Sequence, residues 1–195
     1  MLFRSQHCEV ITFENEFVNL AELLSLAHRG VQFAPRLENL APLLDKYDQR
    51  CYLQSIGLPT PQFCVLKRSA NGQLDNPFGF PVVLKARRQG YDGHGTCVIE
   101  SLEALEQAIK PHPPEGFLLE EFVPFERELA VMIARSPQGE IALYPVVETQ
   151  QKNQICHRVI APAPIDFHLQ KSVQDMAKTF IETLGGVGIF GLEFF

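Results

Sequence analysis

Several familiar handles are missing from this chain. Its 195 residues hold five cysteines, Cys8, Cys51, Cys64, Cys97 and Cys156. The number is odd, the positions are scattered and no C-x-x-C occurs, which argues against a disulfide framework or a zinc site and fits a reduced, cytoplasmic protein. Positive charge is not in excess. The net charge of −6 excludes a general nucleic-acid surface. No apolar run reaches membrane-spanning length, and the N-terminus lacks the apolar core of a signal peptide, so no membrane partner is expected. A Gly-x-x-x-x-Gly-Lys-Ser/Thr loop is absent, as is a Gly-x-Gly-x-x-Gly opening a helix, which removes two common nucleotide-binding classes. Neither an internal repeat nor a low-complexity segment occurs. The remaining composition, 46% hydrophobic, is that of a globular chain able to form one large domain or two small ones.

The most informative stretch that is present runs from Phe80 to Ile99. Val82, Val83 and Leu84 read as a buried strand, yet Lys85 follows directly, and an ammonium there needs an anionic partner. Gly90, Gly93 and Gly95 permit positive φ, so the loop can turn its N–H groups onto one anion. Arg87 and Arg88 add positive charge. The pattern is a β-hairpin with a glycine-rich tip and a lysine on its first strand, suited to covering phosphates. A flexible hairpin with a snorkelling lysine fits the same residues.

Around this hairpin the chain alternates helices and strands. Cys8–Phe13 reads as a strand. Asn19–Arg29 reads as a helix with Leu20, Leu23, Leu24 and Ala27 on one face and Gly30 as its stop. Leu37–Leu44 and Lys46–Ile56 read as further helices, the second ended by Gly57 and Pro59. Strands are expected at Gln62–Leu66, Phe117–Glu121, Leu129–Ala134, Ile141–Pro145, Ile155–Ile160 and Val187–Phe195. Asn71-Gly72 and Pro137–Gly139 mark turns. Ser101 caps a helix to Ile109, and Asp166 caps a long one to Leu184, stopped by Gly185-Gly186. Antiparallel hairpins mixed with helices predict an α+β fold.

Four carboxylates stand in apolar company. Glu120 and Glu121 lie in the strand Phe117–Val123, where alternation sends them to opposite faces, one solvated and one into a site. Glu128 precedes another apolar run. Strand-edge glutamates paired with Lys or Arg would explain the same pattern. Glu193 sits among Ile189, Phe190, Leu192, Phe194 and Phe195, where an ionised carboxylate needs a cation or metal unless the strand is an edge and Glu193 faces water.

A strand lysine, a glycine-rich hairpin, Glu120-Glu-Phe-Val123, a glutamate soon after it and an apolar strand carrying Glu193 together resemble the ATP-grasp superfamily. Within it, Gly90-Tyr-Asp-Gly-His-Gly95, Phe125-Glu-Arg-Glu-Leu129, Tyr144-Pro145, Ala161-Pro-Ala163, Val10–Glu16 and Gly57–Pro61 look like the 5-(carboxyamino)imidazole ribonucleotide synthase family of purine biosynthesis. The likeness runs over nearly the whole chain, and Tyr91-Asp-Gly-His-Gly95 is its most specific part. It implies a ligase that uses ATP and Mg²⁺ to carboxylate 5-aminoimidazole ribonucleotide with bicarbonate, via carboxyphosphate, in a cytoplasmic homodimer.

By that resemblance Lys85, Tyr91 and Asp92 are the catalytic groups. ATP falls to Lys46, Lys85, the lid residues Gly90, Tyr91, Asp92, Gly93, His94, Gly95 and Thr96, the adenine-contacting backbone of Glu120, Glu121, Phe122 and Val123, and the ribose carboxylate Glu128. Glu14, Tyr91 and Asp92 fall to the substrate ribonucleotide, and Glu193 to the metal. The family usually has Arg where this chain has Lys46, and a nucleotide-contacting His where it has Gln150-Gln151. The family's N-terminal Gly-x-Gly-Gln-Leu-Gly loop and its Asn-Glu-x-x-Pro-Arg segment, with the second metal ligand, do not occur. The expectation is therefore an incomplete ATP-grasp fold: residues 1–46 a remnant of the preceding domain, 47–120 a complete lid subdomain, and 121–195 a truncated second subdomain. By itself the chain is expected to be inactive. A non-catalytic truncated relative, or another ATP-grasp carboxylase or ligase, is the alternative.

Overall fold

The structure, a computed structural model, describes residues 7–88, 95–110, 112–152 and 155–195. In chain order its elements are α1 (Leu20–Ala27), α2 (Leu37–Leu40), α3 (Lys46–Ser55), β1 (Phe63–Val65), β2 (Val82–Ala86), β3 (Thr96–Ile99), α4 (Leu102–Ile109), β4 (Phe117–Glu121), β5 (Glu128–Arg135), β6 (Ile141–Leu143), β7 (Val147–Lys152), β8 (Ile155–Ile160), α5 (Phe167–Leu184) and β9 (Gly188–Phe194). They form two compact units. One comprises Asp45–Pro124 with Ile155, the other residues 7–44, Phe125–Lys152 and Cys156–Phe195. Helices and antiparallel sheets mix as the sequence predicts. No helix of the described residues is long and apolar enough to cross a membrane.

In the Asp45–Pro124 unit the sheet order is β1-β4-β2-β3, all antiparallel. Period-two alternation gives β2 and β4 two different faces. Val82, Leu84 and Leu119 turn to one face, where they join Ile99, Phe117, Leu66, Leu74 and the α4 residues Leu105 and Ile109 in a closed core. Each such side chain contributes about 1.5–3 kcal/mol by leaving water. α4 starts where Ser101 Oγ accepts from the Ala104 N–H. The opposite face carries Val83, Lys85, Leu118 and Glu120.

The second unit is built on β5. It bonds β6 and β7 along one edge and β9 along the other, and β8 extends the sheet beyond β7. Leu129, Val131 and Ile133 are buried on one face, against α5 with its buried Val173, Ala177, Phe180, Ile181 and Leu184. α5 is capped by Asp166, which accepts from the Leu169 N–H, and closed by Gly185 at φ 65°. The N-terminal segment packs Leu23, Leu37, Leu40 and Leu44 together, with Phe13 stacked on Phe33. Asn39 Nδ2 donates to Leu184 O at 2.6 Å, fixing α2 to the end of α5.

Four local expectations are corrected. Cys8–Phe13 is not a strand: among the described residues a single parallel bridge joins Ile11 to Phe33, and Ile11 and Phe13 are half-buried. On α1 the inward residues are Leu23 and Leu26, whereas Leu24 is exposed. The helix expected over Leu37–Leu44 stops at Leu40 and tightens into a 3-10 turn at Ala41–Leu43, because Pro42 has no N–H to continue the α-helical ladder. β7 was not expected as a strand. Its Val-Glu-Thr-Gln-Gln-Lys sequence has one apolar residue, and its ladder to β5 supplies the order that its side chains do not.

Candidate functional site

Lys85 is the penultimate residue of β2, on the face away from α4. Glu120 on β4 pairs with Val83, so Lys85, two residues on, lies diagonally across from it on the same face. The Glu120 carboxylate is almost wholly buried and bridges two cations. Its Oε1 accepts from Arg50 Nε at 2.6 Å, and its Oε2 meets Lys85 Nζ at 2.6 Å. Arg50 comes from α3, one turn after Lys46. The helix is brought there by Tyr47, whose ring meets Phe63 of β1 edge-on at 5.6 Å.

One carboxylate thus serves two positive groups, and the titration directions follow. Burial alone would raise the Glu120 pKa, but Lys85 and Arg50 outweigh it and hold it below the ordinary carboxylate value. Burial is also the largest influence on Lys85. With Arg50 and Lys46 repelling it and Glu120 compensating only in part, its pKa falls below that of an ordinary lysine. Among the described residues the cluster has a surplus of positive charge near the strand end, which suits an anion.

Both readings of the glutamate pair hold something. Glu120 is paired with Lys and Arg, but on a central strand rather than an edge. Glu121 turns to the other face, where its Oε1 accepts from the Gln62 N–H at 2.7 Å while its own N–H donates to Gln62 O. Phe122 and Val123 continue beyond the end of β4.

Arg87 and Arg88, read from the sequence as spare positive charge for the loop, have another partner. Asp45 is buried and caps α3 by accepting from the Tyr47 and Asp48 N–H groups. Arg87 Nε lies 3.0 and 3.1 Å from its two oxygens, Arg88 Nε 3.2 Å from one. The Arg87 guanidinium also lies over the Tyr47 ring, and Lys46 N–H donates to Arg87 O at 2.9 Å. The exit of β2 is thereby clamped to the start of α3, which carries Lys46 and Arg50. Burial pushes the Asp45 pKa up, but hydrogen bonding from Arg87 leads the opposing effects and the net direction is down. Sequence reasoning missed Asp45 and Arg50. Asp45 is a helix cap by position, and Arg50 lies four residues from Lys46, on the same helix face.

Of the expected loop residues, Gly90, Tyr91, Asp92, Gly93 and His94 lie outside the described residues. Gly95, at φ 88°, and Thr96 open β3, and Gly95 O accepts from the Ala86 N–H.

Glu128 and Glu193 belong to the other unit. Ala130 pairs with Glu193 across β5 and β9, so Glu128 stands on the same sheet face, opposite Thr149 of β7. That face is the one away from α5. Gln151, two residues past Thr149, shares it by strand period. Among the described strands β9 pairs with β5 alone, and Glu193 is exposed, its apolar neighbours Leu192 and Phe194 turning toward α5. This is the edge-strand geometry left open by the sequence. The described residues hold no cluster of three or more His, Cys, Asp or Glu able to bind a metal. Glu14 is exposed in the N-terminal segment.

Comparison with known proteins places this geometry. The ATP-grasp domain family matches residues 51–195. The N5-carboxyaminoimidazole ribonucleotide synthase of Synechococcus elongatus is 52% identical over 98% of this chain and 49% of its own length. Among solved structures, the N5-carboxyaminoimidazole ribonucleotide synthetase of Thermotoga maritima superposes with a TM-score of 0.80 at 38% identity, over 98% of this chain and 48% of that one. An N5-carboxyaminoimidazole synthase from Aspergillus clavatus, in complex with ADP and 5-aminoimidazole ribonucleotide, superposes with a TM-score of 0.84 at 25% identity, over 98% of this chain and 50% of that one. The chain spans about half the length of the curated relatives it matches.

Proposed function

The chain belongs to the ATP-grasp family, and on that premise we propose that the protein carrying it uses ATP to carboxylate 5-aminoimidazole ribonucleotide with bicarbonate. The observation that carries the reading is the surplus-positive cluster of Lys85, Arg50 and Glu120 at the base of a glycine-rich loop. Such a cluster suits an anion whose charge is spread over phosphate oxygens. The activity for which the relatives are named supplies the substrate class.

In this reading a bicarbonate oxygen attacks the γ-phosphorus of ATP, ADP leaves and carboxyphosphate forms. The exocyclic amine of the ribonucleotide then takes the carboxyl carbon, directly or as released carbon dioxide. Phosphate leaves and the amine loses a proton. Lys85 and Lys46 stabilise the negative oxygens during transfer. The Gly90–Thr96 loop covers the phosphates and keeps water from the acyl phosphate, with Tyr91 and Asp92 serving the chemistry. The backbone of Glu120–Val123 holds adenine, Glu128 holds ribose, and Glu14, Tyr91 and Asp92 orient the ribonucleotide.

Mg²⁺ fits the donors available. Glu193 offers hard carboxylate oxygens from the sheet face away from α5, and Mg²⁺ typically takes one or two carboxylates with phosphates and waters completing the shell. When bound, it neutralises phosphate charge. The protein would act as a cytoplasmic homodimer on small molecules, without nucleic acid or membrane. The test is ADP release by the full-length protein with ATP, Mg²⁺, bicarbonate and 5-aminoimidazole ribonucleotide. Release that depends on both bicarbonate and the ribonucleotide supports the proposal. Release indifferent to the ribonucleotide refutes it.

A further inference from the structure

We propose that Arg50 is a positioning residue that makes Lys85 available to a nucleotide phosphate by keeping hold of Glu120. The inference rests on the nucleotide-site reading above and extends it to a residue outside the expected set.

The geometry is a divided carboxylate. Arg50 takes Oε1 of Glu120 and Lys85 takes Oε2, each at 2.6 Å. The glutamate side chain is 2% exposed and cannot turn to water for a replacement partner. For Lys85 to follow an arriving phosphate, Glu120 must remain paired, because an uncompensated buried carboxylate is strongly unfavourable. Arg50 provides that pairing. Its guanidinium is fixed by its place on α3, one turn past Lys46, and the helix start is held by Asp45, Arg87 and the Tyr47–Phe63 contact. Without Arg50, Lys85 is the remaining counter-ion of Glu120 among the described residues, and leaving a buried carboxylate becomes costly. Arg50 thus sets the affinity of the site while itself engaging the carboxylate rather than the phosphate.

This makes an unusual double-mutant prediction. Removing only Arg50 traps Lys85 on Glu120. Removing the carboxylate charge as well releases it. Binding of Mg·ATP and Mg·ADP to the full-length protein is measured by titration calorimetry for wild type, Arg50→Met, Arg50→Lys, Glu120→Gln, the Arg50→Met/Glu120→Gln pair and Lys85→Met. Arg50→Met is expected to weaken binding roughly tenfold or more. Arg50→Lys, which restores a cation on the single Nε contact, recovers most of it. The double variant binds more tightly than Arg50→Met alone, an outcome that a role confined to structure does not give. Arg50→Met binding like wild type, or a double variant no better than Arg50→Met, overturns the inference. Should Arg50→Met not fold, Glu120→Gln decides: affinity equal to or above wild type supports the inference, and weaker affinity overturns it. Wild-type binding that is lost in Lys85→Met but indifferent to Arg50 overturns this inference alone. Absence of nucleotide binding in wild type overturns the nucleotide-site reading with it.

Discussion

Asp45 separates two contributions that one buried carboxylate makes at once. It caps α3 through the Tyr47 and Asp48 N–H groups, and it neutralises Arg87 and Arg88. Losing a cap typically costs about 1 kcal/mol. Breaking a buried ion pair costs about 3–5 kcal/mol, and an exposed one about 0–1 kcal/mol. The Arg87 side chain is 26% exposed and that of Arg88 56%, so the charge contribution belongs between those limits, at about 1–2 kcal/mol. Asp45→Asn retains an acceptor for the cap and should lose about 1–2 kcal/mol, whereas Asp45→Ala should lose about 2–3 kcal/mol. Urea unfolding at neutral pH, followed by far-ultraviolet circular dichroism, measures both. The pH dependence has a fixed sign. The Asp45 pKa is lower folded than unfolded, so its stabilisation is present above the unfolded value and lost as pH falls through the folded one. The gap between wild type and Asp45→Asn should hold at neutral pH and close below about pH 4. Both variants within about 0.5 kcal/mol of wild type at neutral pH, the range of an ordinary surface change, would refute the reasoning.

Lys85→Met should lower ATP-dependent turnover by about two to three orders of magnitude, as expected for loss of a preorganised charge on a transferring phosphoryl group. Steady-state ADP release measures it, and a variant at wild-type rate removes Lys85 from the chemistry. Gly185→Ala should destabilise by about 1–2 kcal/mol, since an added Cβ meets nothing within 4 Å and the cost is the left-handed conformation alone. An unchanged urea midpoint would contradict it. Leu105→Ala, at a position with no exposed surface in the α4 core, should cost about 2–5 kcal/mol in the same experiment.

The elements with strong local signals were legible. Ser101 and Asp166 cap the helices they were expected to cap, and Phe117–Glu121 and Ile155–Ile160 form strands over the expected residues. What escaped was decided by partners distant in sequence. β7 is polar and becomes a strand because β5 offers it a ladder. Cys8–Phe13 has a strand's composition, but among the described residues it forms one isolated bridge, Ile11 to Phe33. In the site, Lys85 was visible because a lysine after three apolar strand residues demands an explanation. Its partners were less so. Glu120 comes from 35 positions later, Arg50 from 35 positions earlier, and both are brought in by the order β1-β4-β2 and the seat of α3. Arg87 and Arg88 looked like spare charge because Asp45 lies 42 and 43 residues away.

The central claim is that bicarbonate receives the phosphoryl group of ATP. Bicarbonate labelled with heavy oxygen, supplied to the full-length protein with ATP, Mg²⁺ and 5-aminoimidazole ribonucleotide, tests it directly. In the proposed sequence the bicarbonate oxygen that attacks phosphorus stays with it when the carboxyl carbon moves to the amine. Mass spectrometry of the released phosphate should therefore find one labelled oxygen in each molecule formed. Turnover that yields phosphate free of label would contradict the account.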